Sequence, residues 1–182
     1  MSKVAVFIAD GLEEIEGLTV VDILRRLNIT TDMISVMGSN DITGAHNISF
    51  KADMLFEDAK LDEYDMYVLP GGGPGTKYLK QYKPLHDLLL KKSSEGKYIC
   101  AICAAPTVLG VLQLLNGKRA CCYEGLEDGL EGAIVTKDEV TVDGRIITSR
   151  GMGTAIPFAL ALGAALVGDE ETEKLRKGIL YK

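Results

Sequence analysis

Short, continuous apolar runs alternate along this chain with stretches of helical period, and that alternation leaves few folds open. Val4 to Ala9 ends at Asp10-Gly11, Tyr64 to Pro70 runs into Gly71-Gly72-Gly73-Pro74-Gly75, and Tyr98 to Ile102 runs into Cys103. Runs this short and this apolar suit strands buried on both faces. Ile15 to Leu27 carries apolar residues at helical spacing and ends near Arg25-Arg26, which suits a helix C-terminus. The same reading predicts a strand over Asp32 to Met37 and a small β excursion at Ile48 to Phe50. It places helices at Leu85 to Ser94 and Pro106 to Leu115, with short strands at Ala120 to Tyr123, Ala133 to Thr136, Val140 to Val142 and Ile146 to Thr148. Thr154 to Val167 and Glu170 to Gly178 read as two closing helices. Strands alternating with helices imply βαβ units, hence an α/β, doubly wound sandwich around a mostly parallel sheet. Ligands in such sheets bind beyond the carboxyl ends of the strands, where the strand order switches. Three loops lie there: Asp10 to Glu16, Gly71 to Gly75, and Cys103 to Pro106. At 182 residues, with no repeat or linker, one domain spanning 1–182 is the simplest account.

Charge and hydropathy then exclude several classes. The net charge is −6 with both signs interspersed, and no basic block offers a phosphate-binding stripe, so nucleic acid is not the expected partner. The longest apolar stretch, Ile156 to Val167, is too short for a membrane span and reads as a core helix. A strand beginning almost at residue 3 leaves no room for an export signal. The four cysteines (Cys100, Cys103, Cys121, Cys122) are therefore expected to be reduced thiols, and the cytoplasm is the expected compartment.

Cys103 carries the chemistry. A strand ends on it, and Ala104-Ala105-Pro106-Thr107 opens the next helix. Helix N–H groups and the helix dipole favour a thiolate, which is nucleophilic and oxidisable. The competing reading is a packed, inert cysteine. Cys100 lies inside the strand, about 10 Å from Cys103 along an extended chain, whereas a disulfide needs less than about 7 Å. Cys121 and Cys122 are adjacent in a predicted strand and face opposite sides. Only His46 and His86 are available as histidine ligands and neither shows zinc spacing, so no metal is expected. The glycines at 71–75 match neither a P-loop nor a dinucleotide fingerprint. They form either a tight turn or an oxyanion hole through the Gly72 N–H. Glu13 and Glu14 read as ordinary helix-start acids, whereas Glu16 would be held protonated if it shared a dry site with the thiol. It could then donate to sulfur and relay a proton. Ala104 follows the cysteine, and no Cys-His or Ser-His-Asp set is evident locally.

Taken together, the chain resembles the ThiJ/PfpI superfamily, in its DJ-one branch. The resemblance runs nearly end to end. It rests on Asp10-Gly11-Leu12-Glu13-Glu14-Ile15-Glu16, Val68-Leu69-Pro70-Gly71-Gly72, Ala101-Ile102-Cys103-Ala104-Ala105-Pro106-Thr107 and Thr148-Ser149-Arg150-Gly151-Met152-Gly153-Thr154. It implies a flavodoxin-like sandwich, usually homodimeric, with Cys103 on a strained nucleophile elbow, Glu16 as its protonated partner, and N–H groups near Gly72 and Ala104 steadying an oxyanion. It also implies a cofactor-free glyoxalase or deglycase acting on small 2-oxoaldehydes or early glycation adducts. The alternative is an oxidative-stress sensor or chaperone in which Cys103 is oxidised. Gly71, Tyr123, His46 and Arg150 are the further pocket candidates. The chain departs from the pattern at Ala104, where the protease-like branch has histidine, which argues against a peptidase. It departs again at Tyr123, where some relatives carry histidine, and near His46, where some carry arginine.

Overall fold

The computed structural model describes residues 2–182. In chain order the elements are β1 (Lys3–Ile8), α1 (Glu14–Arg26), β2 (Thr30–Ser35), β3 (Asp41–Thr43), β4 (Ser49–Lys51), β5 (Met54–Leu55), β6 (Met66–Leu69), α2 (Gly73–Gln81) and α3 (Lys83–Ser94). There follow β7 (Tyr98–Ile102), α4 (Pro106–Val111), β8 (Arg119–Ala120), β9 (Ile134–Val135), β10 (Val140–Asp143), β11 (Ile146–Ser149), α5 (Ala155–Val167) and α6 (Asp169–Gly178).

Seven strands form the main sheet in the order β10-β11-β7-β6-β1-β2-β5. All neighbours are parallel except β10 on β11. β3 and β4 form a separate antiparallel hairpin, and β8 pairs with β9. Alternation along β1 shows why two helical layers are needed. Val4, Val6 and Ile8 pack with α1 and α5, while Ala5, Phe7 and Ala9 pack with the layer of α2, α3 and α4. Each layer has its own fully buried large residues, such as Phe158 on one side and Tyr67 and Leu85 on the other. Truncating a ring such as that of Phe158 to alanine costs about 3–5 kcal/mol in a close-packed interior.

The chain winds outward from β1 through β2 to β5, then returns to lay β6 on the other flank of β1. The strand order switches between β1 and β6, and the crevice beyond their carboxyl ends is where a ligand fits. The loop after β7, carrying Cys103, stands beside it.

Several expected boundaries move. The glycine segment at 71–75 is not only a turn: Gly73 to Gly75 form the first turn of α2, with Pro74 in the position where a missing N–H does no harm. The helix expected to reach Leu115 stops at Val111, the strand expected at 32–37 runs from Thr30 to Ser35, and that expected at 120–123 is only Arg119–Ala120. Cys121 and Cys122 therefore lie in irregular backbone, both buried. Among the described residues, no helix is long and apolar enough to cross a membrane.

Candidate active site

Cys103 leaves β7 with φ +64°, in the left-handed region. A residue with a Cβ pays about 1–2 kcal/mol for that conformation, so the surroundings must impose it. Two backbone bonds do so. The Cys103 N–H donates to the Ser149 carbonyl at 3.0 Å, and its carbonyl accepts from the Tyr123 N–H at 2.8 Å. The turn throws the thiol into the crevice rather than into the sheet. Cys100, three residues earlier, is wholly buried in β7, and all four cysteines are free.

Glu16 reaches the same point from the first turn of α1 and is completely buried. Its Oε2 accepts the Gly71 N–H at 2.9 Å. Its Oε1 is buried without a hydrogen-bond partner among the described residues, and the neighbouring group it interacts with is the Cys103 thiol. Burial is the chief reason its pKa rises to about 7; the thiol and the Gly71 N–H only partly offset it. For Cys103, burial again comes first, followed by the adjacent Glu16 carboxylate. They outweigh the Gly72 and Ala104 N–H groups, which favour a charged sulfur, and push the thiol up to about 12. The backbone N–H groups at this helix start favour the thiolate, while desolvation and an ionised neighbouring acid oppose it. The share of that rise due to Glu16 needs an ionised carboxyl and disappears when Glu16 is protonated, so the two groups are coupled.

The glycines give this pair its room. A Cβ on Gly71 would stand 2.6 Å from both Cys103 Cβ and Glu16 Oε2. Gly72, at φ +87°, would place a Cβ 2.4 Å from the Glu13 nitrogen. Gly151 closes the other side: a Cβ there would lie 3.4 Å from the Tyr123 ring and 3.9 Å from both Cys103 Sγ and Glu16 Oε1. Cys103, Glu16, Gly71, Gly72, Ala104 and Tyr123 thus converge on one place. Arg150 flanks it through the backbone, but its side chain turns to Glu124 at 3.7 Å.

His46 sits elsewhere than the thiol. Its backbone N–H donates to Glu14 Oε1 at 2.8 Å, and its Nδ1 lies 2.9 Å from Glu14 Oε2 and 3.6 Å from Glu13 Oε2. Glu14 is therefore not a solvated helix-start acid: it is buried and pins the β3–β4 hairpin onto α1. Helical spacing carried this signal, since Glu14, Gly17, Val21 and Leu24 share the buried stripe of α1. Gly151 is the other residue not singled out. A lone glycine after a strand has no signature until its neighbours are placed around it.

A thiol on a left-handed turn, a buried carboxyl and two backbone donors at the switch point of a flavodoxin-like sandwich define a cysteine-elbow α/β protein. Residues 2–165 match the DJ-1/PfpI family, and the chain belongs to it. The chain is 36% identical over 183 residues to Protein dj-1beta of Drosophila melanogaster, covering 99% of this chain and 98% of that protein. It is 32% identical over 169 residues to the glutathione-independent glyoxalase DJR-1.2 of Caenorhabditis elegans, covering 92% and 90%. It spans only 39% and 45% of the length of the Arabidopsis thaliana DJ-1 homologs B and A, each 36% identical to it. Among solved structures, the C103A mutant of the DJ-1 superfamily protein STM1931 from Salmonella typhimurium superposes with a TM-score of 0.95, at 33% identity over 100% of both chains.

Proposed function

We propose that this protein is a glutathione-independent glyoxalase that converts 2-oxoaldehydes to 2-hydroxycarboxylates, with Cys103 as nucleophile and Glu16 as proton relay. The observation that carries the reading is the buried, unpartnered Oε1 of Glu16 beside the Cys103 sulfur. A buried carboxylate oxygen lacking a donor is costly, whereas a protonated one donates to a thiolate. With the proton on Oε1, the sulfur carries the charge and receives the Gly72 and Ala104 N–H groups.

The sulfur adds to the aldehyde carbon, and the alkoxide takes the Glu16 proton to give a hemithioacetal. The same two N–H groups steady the developing negative oxygen. The Glu16 carboxylate then removes the proton on the former aldehyde carbon. An enediolate forms; that proton returns to the adjacent carbon while the hydroxyl proton on the sulfur-bearing carbon passes to the neighbouring oxygen, which yields the thioester of a 2-hydroxy acid. Water cleaves the thioester and restores the thiol. One oxoaldehyde and one water become one 2-hydroxy acid, so the oxidation of one carbon is balanced by the reduction of its neighbour and no external oxidant is needed. The test is methylglyoxal consumption without glutathione, with lactate detected. Wild type should produce lactate and Cys103→Ala should not; turnover retained in Cys103→Ala would sink the reading.

One observation favours a second role. Cys103 is the partly exposed cysteine, whereas Cys100, Cys121 and Cys122 are buried. Peroxide therefore reaches Cys103 first, oxidising it to sulfenate and then sulfinate as each peroxide is reduced to water. Selective mass gain at Cys103 together with no aldehyde turnover would favour this sensor reading over the enzyme.

A further inference from the structure

A cleft of ≈ 500 Å³ lies between α2 and the Gly125–Gly129 segment; its lining includes neither Cys103 nor Glu16, but it does include Gly73 and Ala104, the residues that follow Gly72 and Cys103. Lys77 and Lys80, one turn apart on α2, line the cleft, and among the described residues neither has an ion-pair or hydrogen-bond partner. Thr76, only 5% exposed, lines it too, and its buried Oγ1 has no hydrogen-bond partner among the described residues. The Gly73 N–H, first in α2, also lacks an acceptor there. The carboxylate on the lining is Asp128, so cationic side chains outnumber anionic ones in a chain whose net charge is −6.

We propose that this cleft holds an anionic tail of the substrate, and that the preferred substrates are 2-oxoaldehydes carrying a carboxylate or phosphate on the chain beyond the ketone. The inference rests on the oxoaldehyde reading above and gives it a substrate class. Ala104 links the two regions: its N–H faces the sulfur while the residue also borders the cleft. On this proposal, a carbonyl bonded at Cys103 extends the rest of its chain past Ala104 toward Lys77 and Lys80. Two ammonium groups and a free helix-start N–H are the donors that a carboxylate or phosphate needs.

The experiment compares wild type with a Lys77→Met/Lys80→Met double variant, both confirmed folded by their thermal melts. The substrates are 4,5-dioxopentanoate for the carboxylate, 3-phosphooxy-2-oxopropanal for the phosphate, and methylglyoxal as the neutral reference. The ratio of kcat/KM for an anionic substrate to that for methylglyoxal should fall about tenfold in the variant, and less at high salt. The anion showing the larger fall is the tail the cleft prefers. An unchanged ratio for both anions would overturn the proposal. A second readout needs no turnover: the rate of Cys103 alkylation by iodoacetate relative to neutral iodoacetamide. That ratio should fall severalfold in the double variant, and an unchanged one counts against the cleft. If no oxoaldehyde is turned over by wild type, the enzyme reading fails, and the alkylation ratio alone decides whether the cleft attracts anions.

Discussion

Replacing Glu16 by glutamine distinguishes two placements of the proton shared with Cys103. Burial raises the carboxyl to about 7 and, with an ionised Glu16 beside it, the thiol to about 12. If the proton of the coupled pair stays on Oε1, the sulfur is a thiolate near neutral pH. Glutamine then exchanges an O–H donor for a weaker amide N–H and removes no charge. The thiol should rise by less than about one pK unit, the worth of about 1 kcal/mol in a charge-assisted hydrogen bond. If instead the proton sits on sulfur, glutamine removes a negative charge beside it. Two unit charges about 4 Å apart, at an effective dielectric of about 20, interact by about 4 kcal/mol, or about three pK units. The thiol would then fall by that much. The two arrangements predict shifts of opposite sign, and thiolate ultraviolet absorbance against pH reads them directly. Cys103→Ala supplies the background from Cys100, which burial holds far above neutrality, and from Cys122, pushed up to about 11 chiefly by burial. With the proton on Oε1, wild type should show a thiolate signal already near neutral pH, with a small upward move in Glu16→Gln. A wild-type signal that waits until near pH 12, and drops by about three units in the variant, would refute the placement and with it the proton relay as drawn.

Other variants probe the surroundings of the pair. Gly71→Ala puts a methyl 2.6 Å from Cys103 Cβ and Glu16 Oε2, and should cost about 1–3 kcal/mol in a denaturant melt and abolish turnover. Gly151→Ala meets nothing closer than 3.4 Å, so it should melt like wild type yet raise the KM for oxoaldehydes by filling space over the sulfur. Because Cys103 is held at φ +64°, Cys103→Gly should be more stable than Cys103→Ala by about 1 kcal/mol, seen as a Tm about 2–4 °C higher. For Glu14, burial acts upward, but the His46 ring and backbone N–H groups outweigh it and hold the carboxyl below its ordinary 4.5; the same bond raises His46 above 6.5. The lowered acid supports the folded state above its ordinary value, and that support is lost as pH falls. The raised base supports it below its ordinary value, and that support is lost as pH rises through the folded value. The Tm deficit of His46→Gln should accordingly be largest between about pH 4.5 and 6.5 and shrink on either side.

What could be read from the chain alone was whatever a local pattern encodes. Tyr98 to Ile102, apolar on every residue, marked β7 to the residue, and the run of strands and helices implied a parallel sheet with its ligand end at the loops holding Glu16, Gly71 and Cys103. The first turn of α2 escaped notice because glycine and proline oppose helix interiors, although both are tolerated where the first N–H groups have no helical partner. Burial of Glu14 was legible in its helical spacing but was outweighed by the simpler expectation that acids decorate helix starts.

The local sequence determined which residue types stand at the strand ends: a cysteine, a glutamate, and glycines small enough to admit both. Only the tertiary structure decided what those residues do to one another. Burial raised the proton affinities of both groups, β11 and the Tyr123 segment held Cys103 in a conformation it would not adopt alone, and Gly151 came against the thiol from a distant part of the chain. Desolvation and coupling between charges depend on everything within a few ångströms, and most of what surrounds Cys103 there is far from it in sequence.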